Sequence, residues 1–293
     1  MTAFPSLAGH VALVTGANRD GIGRAIARRL AAHGARLVLH ASGAGSRDGL
    51  EHSRALIRDA GGEAECIEAD LLDDDARADL VDRAGRIFGP VDILVNNAAK
   101  IVFAPPSKID LPARHAIFEV NFQAPIDLIQ QALPAMREHG WGRIVNITSD
   151  SVKPPTFPYL GPAKFIHALT LYGASKLALD RYTQGLAAEL HGTGITVNGT
   201  KPYAVAWSGG ADQLARQMLA TNPAMVETLE LLAEATLLLV TRGETGLILN
   251  SREILQQYQA PLHDLDGRTL LGDATTLVSE EGPLRPPAPL RVG

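Results

Sequence analysis

Tyr172 and Lys176 stand four residues apart in the stretch Tyr172-Gly173-Ala174-Ser175-Lys176. On a helix that spacing puts both on one face, one turn apart. A free phenol has a pKa of about 10, too high to exchange protons readily near neutrality. A neighbouring ammonium favours the phenolate and lowers that value. The pair is therefore a candidate proton donor and acceptor, with Tyr172 reacting and Lys176 tuning it. A Tyr and a Lys at this spacing also occur as plain surface pairs, so the chemistry depends on what surrounds them.

A second group that could do chemistry lies near the start of the chain, in Thr15-Gly16-Ala17-Asn18-Arg19-Asp20-Gly21-Ile22-Gly23. The apolar run at 10–15 reads as a buried strand, and a helical pattern opens at Ile22. Glycine at such a turn lets the backbone bend sharply and approach a pyrophosphate. The helix N-terminus then offers free N–H groups and the positive end of its dipole. A bare strand–helix turn is the alternative, and the position on the first strand of an alternating pattern favours the dinucleotide site. Asp20 would repel phosphate if it faced inward, so its side chain is expected to point to solvent.

These residues need elements to position them. After the strand at 10–15 comes a helix at 22–33, with Ile22, Ile26 and Leu30 on one face and Gly34 closing it. Strands at 36–40, 64–68, 91–95, 143–148, 195–199 and 246–250 alternate with helices at 50–60, 73–88, 112–139 and 172–191. This alternation predicts an α/β, doubly wound parallel sheet (a Rossmann fold) of about seven strands with helices on both faces. A single Rossmann-type domain over 1–293 is expected. Within it, 9–200 would form the cofactor-binding and catalytic core and 201–281 a substrate lid and C-terminal extension. The tail 282–293 carries four prolines and is expected to be extended or disordered. Two stretches break the rhythm, 151–171 and 203–221, and long loops after strand C-termini are where such folds place ligands.

The glycine loop resembles that of the short-chain dehydrogenase/reductase family, whose pattern is Thr-Gly, three residues, Gly-Ile-Gly; here the gap holds four. Further landmarks follow in order. Asp70-Leu71 after the third strand matches the family's acidic residue that hydrogen-bonds the adenine amino group. Asn96-Asn97-Ala98-Ala99 after the fourth matches Asn-Asn-Ala-Gly, which backs the adenine ribose. The match covers 9–200 well and weakens beyond, and among its members the chain resembles a bacterial subset with extended C-terminal tails. It implies that Tyr172 gives a proton to a carbonyl oxygen or takes one from an alcohol, while Lys176 also holds the nicotinamide ribose. It further implies that Ser149, closing the fifth strand, orients the substrate oxygen. Asn121, in Val120-Asn121-Phe122, would hold a water in a proton relay reaching Lys176. Read by itself, an Asn in a helix is more often a local hydrogen-bonder. The implied cofactor contacts are Gly16, Asn18, Arg19, Gly21, Ile22, Gly23, Asp70, Leu71, Asn97, Ala98, Lys176, Pro202 and Val205, with His40 and Ser42 at the end of the second strand.

In this fold a carboxylate at the end of the second strand receives the ribose hydroxyls of NAD and would repel the 2′-phosphate of NADP. Here that strand ends Leu39-His40-Ala41-Ser42-Gly43, with no carboxylate. Arg19 stands where NADP-binding members keep a basic residue, and a planar guanidinium suits phosphate. His40, Ser42 and Arg47 could add donors. The sequence therefore favours NADP(H) over NAD(H).

Departures from the family concentrate on the substrate side. Twenty-two residues separate Ser149 from Tyr172, where the family commonly has about a dozen. The insert carries Lys153-Pro154-Pro155, Tyr159, Phe165 and His167, and is expected to form a loop over the pocket or at a subunit contact. Tyr159 reads as a packing residue or as a second active-site tyrosine. Many members have Pro-Gly-x-Val-x-Thr after the sixth strand. This chain has Pro202-Tyr203-Ala204-Val205-Ala206-Trp207, with Ser208 next. Tyr203, Trp207, Met218 and Met225 would supply an apolar lid, or ordinary core packing. Asp-Gly-Gly after the last strand is replaced by Ser251-Arg252-Glu253. These departures leave open a non-redox use of the cofactor, as in an epimerase or dehydratase, beside the carbonyl reductase or alcohol dehydrogenase reading. A cofactor-sensing binding protein is the third reading, disfavoured because a sensor needs no proton donor.

Composition narrows the partners. A net charge of −5 gives no pull toward nucleic acid or anionic membrane. The one cysteine, Cys66, forbids an internal disulfide, and the nine histidines show no metal-ligand spacing. The start of the chain shows no secretory signal, and the apolar run at 229–240 is too short to span a bilayer. The expectation is a cytoplasmic enzyme acting on a small carbonyl or alcohol. The resemblance implies a homodimer or homotetramer, with the faces Ile126, Ile129, Leu133 and Leu177, Leu186, Leu190 either at the contact or against the sheet.

Overall fold

Strands of alternating parity build the core. In β1 (Val11–Thr15), Val11 and Leu13 face one apolar layer while Ala12 and Val14 face the other. The same split recurs across the sheet, so both faces are buried, as a parallel sheet requires. The computed structural model describes residues 5–159, 167–203, 205–206, 220 and 226–272. The central sheet contains β1, β2 (Arg36–Ala41), β3 (Ala64–Glu68), β4 (Ile93–Asn96), β5 (Gly142–Ile147), β6 (Ile195–Lys201) and β9 (Ile248–Asn250). All pairings are parallel and the order is β3-β2-β1-β4-β5-β6-β9. Two small ribbons, β7 (Val205–Ala206) with β8 (Val226–Glu227) and β10 (Leu262–His263) with β11 (Leu270–Gly272), lie outside it.

The order reverses between β1 and β4, and a crevice opens there at the strand C-termini. On one face pack α1 (Ile22–Ala32), α8 (Leu229–Thr241) and α9 (Ser251–Gln257); on the other α4 (Leu80–Phe88), α6 (Ala124–His139) and α7 (Thr170–Glu189). Helix α2 (Arg47–Asp59) follows β2, and α5 (Leu111–Phe118) precedes the turn that leads into α6. Ile129, Leu133, Leu186 and Leu190 all point into the sheet layer, so these four settle on the sheet rather than on a subunit contact; Leu177 is exposed. Helix α8 is apolar nearly all round and buried nearly all round, which is where such a helix belongs.

Two expected helices are broken, each for a visible reason. The stretch 73–88 divides into α3 (Asp74–Arg77) and α4. Asp73 caps the first by accepting from the amides of Asp75 and Ala76. Between the two, Gln131 from α6 inserts its side-chain amide. Its Nε2 donates to the Arg77 carbonyl at 2.9 Å and its Oε1 accepts from the Val81 amide at 3.1 Å, replacing the backbone bond those two groups would make with each other. The stretch 112–139 is α5, a π-turn at Glu119–Gln123 and α6. Pro125 has no N–H for the Asn121 carbonyl, and the Ala124 amide reaches back five residues to Glu119.

The expected Trp207, Ser208, Met218, Met225, Phe165 and the tail 282–293 lie outside the described residues. No described helix is long and apolar enough to cross a membrane.

Candidate active site

The glycine loop closes on itself through backbone contacts that leave no room for side chains. A Cβ on Gly23 would sit 2.4 Å from the Gly16 carbonyl oxygen and 2.5 Å from Asn97 Nδ2. Helix α1 starts at Ile22 with Gly21 as N-cap and no side-chain cap, so its first amides face the crevice unclaimed by a side chain. Arg24, inside the first turn, organises the longer loop. Its Nε donates to Ser53 Oγ at 2.8 Å, and its Nη2 donates to the carbonyls of Asn18 at 3.2 Å and Gly49 at 3.3 Å. Asp20 is 83% exposed and lies 3.8 Å from Arg24, at the rim of the same crevice.

The crossover between β1 and β4 is stitched by Thr15 and Asn97. Thr15 Oγ1 accepts from the amides of Asn97 at 2.9 Å and Ala98 at 3.0 Å, and donates to the Val95 carbonyl. Asn97 Nδ2 donates to the Thr15 carbonyl at 2.8 Å and the Gly16 carbonyl at 3.2 Å. Around this seam lies a cavity of about 510 Å³. Gly16, Asn18, Arg19, Gly21, Ile22, Gly23, His40, Ser42, Asp70, Leu71, Asn97 and Ala98 all border it. Lys100 and Ser46, which the sequence reading did not single out, border it as well. Glycine backbone, open helix amides and an exposed Arg19 at its wall fit a dinucleotide phosphate chain.

His40 requires a correction. Its ring lies buried at the end of β2 with Nε2 against the Ala69 carbonyl at 3.0 Å. Burial pushes its pKa down to about 4, partly offset by that hydrogen bond. A neutral imidazole donating through Nε2 has only an acceptor left at Nδ1, so it brings neither charge nor a donor to a 2′-phosphate. Ser42 and Arg47 remain exposed, and Arg47 pairs with Glu68 at 3.8 Å.

The second group of residues converges past the end of β5. Ser149 opens a short 3₁₀ turn, Asp150–Val152, and its Oγ accepts from the Ser151 amide at 3.2 Å and hydroxyl at 2.9 Å. Tyr172 is 8% exposed, with the Ser149 side chain beside its phenol. Burial pushes the phenol up to about 12, and the Ser149 hydroxyl opposes that rise. Lys176 is 2% exposed, donates to the Ile147 carbonyl at 2.8 Å and lies 5.9 Å from the Tyr172 ring centre. Burial lowers the ammonium to about 8, and the Asp180 carboxylate one turn further along opposes the fall.

Asn121 is fully buried inside the π-turn. Its Oδ1 accepts from the Lys100 amide at 2.7 Å, while its Nδ2 donates to the Lys100 carbonyl and to Ser175 Oγ, both at 3.0 Å. Ser175 in turn donates to the Tyr172 carbonyl at 2.7 Å. The side-chain amide is thus committed to the protein, and its own carbonyl lacks the N–H that Pro125 cannot supply.

A second cavity, of about 750 Å³, is bordered by Ser149, Tyr159, Pro202, Tyr203 and Val205. Tyr159 is 62% exposed, with its ring edge-on to Phe157. Tyr203 lies under the Arg252 guanidinium at 4.2 Å. Arg252 is itself beside the buried Glu227, whose carboxylate accepts from Ser251 Oγ. Sequence reasoning missed Thr15, Arg24, Ser53 and Ser175. Their work is hydrogen bonding across distant segments, which no local spacing announces.

A parallel α/β sheet with a glycine-loop crevice and a Ser–Tyr–Lys group beside it, its Tyr and Lys buried, defines the class of nicotinamide-dependent oxidoreductases. A family model described as short chain dehydrogenase matches residues 10–218, and the chain belongs to that family. It is 32% identical over 251 residues to the ketoacyl reductase HetN of Nostoc sp., covering 86% of this chain and 82% of that protein. It is 35% identical over 199 residues to the versicolorin reductase stcU of Emericella nidulans, covering 68% of this chain and 70% of that one. Among solved structures, a 3-oxoacyl-(acyl-carrier-protein) reductase of Agrobacterium tumefaciens with NADP bound superposes with a TM-score of 0.73 at 31% identity, covering 84% of this chain and 93% of that one. A blue fluorescent protein from a metagenomic library, in complex with NADPH, gives 0.73 at 32% identity, covering 84% and 97%.

Proposed function

We propose that this protein is an NADP(H)-dependent carbonyl reductase or alcohol dehydrogenase with Tyr172 as its general acid and base. The observation that carries the reading is the convergence of Ser149, the buried Tyr172 phenol and the Lys176 ammonium, which lies 5.9 Å from the Tyr172 ring centre. The cofactor, held by the glycine loop, the first amides of α1 and the Asn97–Ala98 segment, supplies or accepts the hydride. In reduction the substrate carbonyl oxygen would take hydrogen bonds from Ser149 and Tyr172. As negative charge grows on that oxygen, Tyr172 gives up its phenolic proton. An alkoxide is more basic than a phenolate, so the transfer runs downhill even from a phenol near 12. Lys176 then stabilises the phenolate, and a water at the Asn121 carbonyl connects Lys176 with solvent for reprotonation.

Support for NADP(H) comes from Arg19 and Ser42 on the cavity wall and from the absence of a carboxylate at the end of β2. The relatives named for ketone substrates favour a small carbonyl compound as partner. The test is oxidation of NADPH and of NADH with a panel of ketones and aldehydes. The reading expects turnover of at least one ketone with a higher kcat/KM for NADPH. Tight NADPH binding without turnover of any carbonyl would contradict the activity, and a preference for NADH would contradict the cofactor assignment.

A further inference from the structure

One guanidinium joins two segments that border the crevice. Arg77, at the end of α3, is almost fully buried. Its Nη1 donates to the Leu71 carbonyl at 2.7 Å, and its Nε donates to Asp127 Oδ2 on α6 at 2.7 Å. Its Nη2 reaches Glu119 Oε1 at 2.5 Å and Asp74 Oδ1 at 2.8 Å. Leu71 borders the crevice at the end proposed for adenine, and Val120, next to Glu119, borders it as well. Asn121 follows Val120 in the same π-turn. The π-turn is a local distortion of a long helix, and the Glu119–Arg77 pair ties it to another segment.

We propose that Arg77 is a positioning residue: it braces the Asp70–Leu71 loop against the π-turn that carries Asn121, coupling cofactor affinity to turnover. The inference rests on the reading that the cofactor occupies this crevice. Geometry favours a role beyond simple stability. The bonds fan out to three separate segments, and a planar five-donor fork is the side chain that can serve them at once. Asp74 is 81% exposed and adds little. The bonds to Leu71 and Glu119 are those that reach the crevice walls.

The test compares Arg77→Met, Arg77→Lys and Glu119→Gln with the native protein. NADPH is titrated by fluorescence to obtain Kd and the number of sites, and kcat is measured at saturating cofactor. Arg77→Met is expected to weaken NADPH binding about ten-fold and to lower kcat about ten-fold, with one site per chain retained. Arg77→Lys, lacking the fork, should fall on the same side. Glu119→Gln loosens only the π-turn, so it should lower kcat while leaving Kd within about two-fold. A purely structural brace would lower Tm or the number of competent sites and leave Kd and kcat per site unchanged; that result overturns the proposal. Should Arg77→Met not fold, Arg77→Lys and Glu119→Gln decide the matter by the same criterion. If the native protein binds neither NADPH nor NADH, the crevice reading itself fails. Native binding with indifferent variants sinks only the role of Arg77.

Discussion

Burial acts on Tyr172 and Lys176 in opposite directions on the pKa scale but toward the same end, the neutral form. It raises the phenol to about 12 and lowers the ammonium to about 8. Lys176 therefore keeps its charge below pH 8 and loses it above. In the proposed mechanism the phenolate needs that charge, so ketone reduction should decline as pH rises past 8. Asp180 raises the Lys176 pKa, so Asp180→Asn should move the alkaline limb of the kcat profile to lower pH by about one unit. A kcat–pH profile identical to the native one would contradict this. The Tyr–Lys pair was legible in the sequence because i, i+4 spacing survives any packing. Its burial was not legible, since it depends on β5 lying under α7. His40 was misjudged for a similar reason. Its place at the end of β2 is evident in sequence, but the direction of its ring is decided by strand parity and by the Ala69 carbonyl.

At the scale of elements, the site depends on a close contact between α7 and the turn after Ser149. A Cβ on Gly173 would come within 2.2 Å of the Ser151 carbonyl oxygen, a backbone atom with nowhere to retreat. Gly173→Ala should push the Ser149 turn off the helix and cut kcat at least about ten-fold, in a protein whose far-UV circular dichroism is unchanged. Native kcat in that variant would show that the turn yields freely. The strand–helix alternation was readable from periodicity, and so were nearly all the elements. The two helix breaks were not read, although Pro125 stands in plain sight at the second. A helix often tolerates one proline near the start of a turn, and nothing local reveals that Gln131 reaches across to split α3 from α4.

For the whole molecule, β9, α8 and α9 complete the sheet and one of its helical layers. Helix α8 lies against α1, and a buried ion pair crosses that interface: Arg29 donates to Glu234 at 2.7 and 3.2 Å, with Glu234 fully buried. His263 of the small C-terminal ribbon approaches the same carboxylate at 3.7 Å. Removing one partner leaves a buried charge uncompensated. Glu234→Ala should therefore cost about 3 kcal/mol in urea denaturation, and a midpoint equal to the native one would refute it. In sequence the run at 229–240 shows only as apolar and too short to span a bilayer; which helix it meets is a matter of topology rather than of spacing.

The central claim is that Tyr172 moves the proton in a crevice that binds NADPH independently of it. The most direct measurement pairs two readouts on Tyr172→Phe: loss of reduced-cofactor absorbance with a ketone the native protein turns over, and the Kd for NADPH by fluorescence titration. The account predicts that turnover falls by at least about a hundred-fold while the Kd stays within about three-fold. Turnover near the native rate with the phenolic oxygen removed would contradict it.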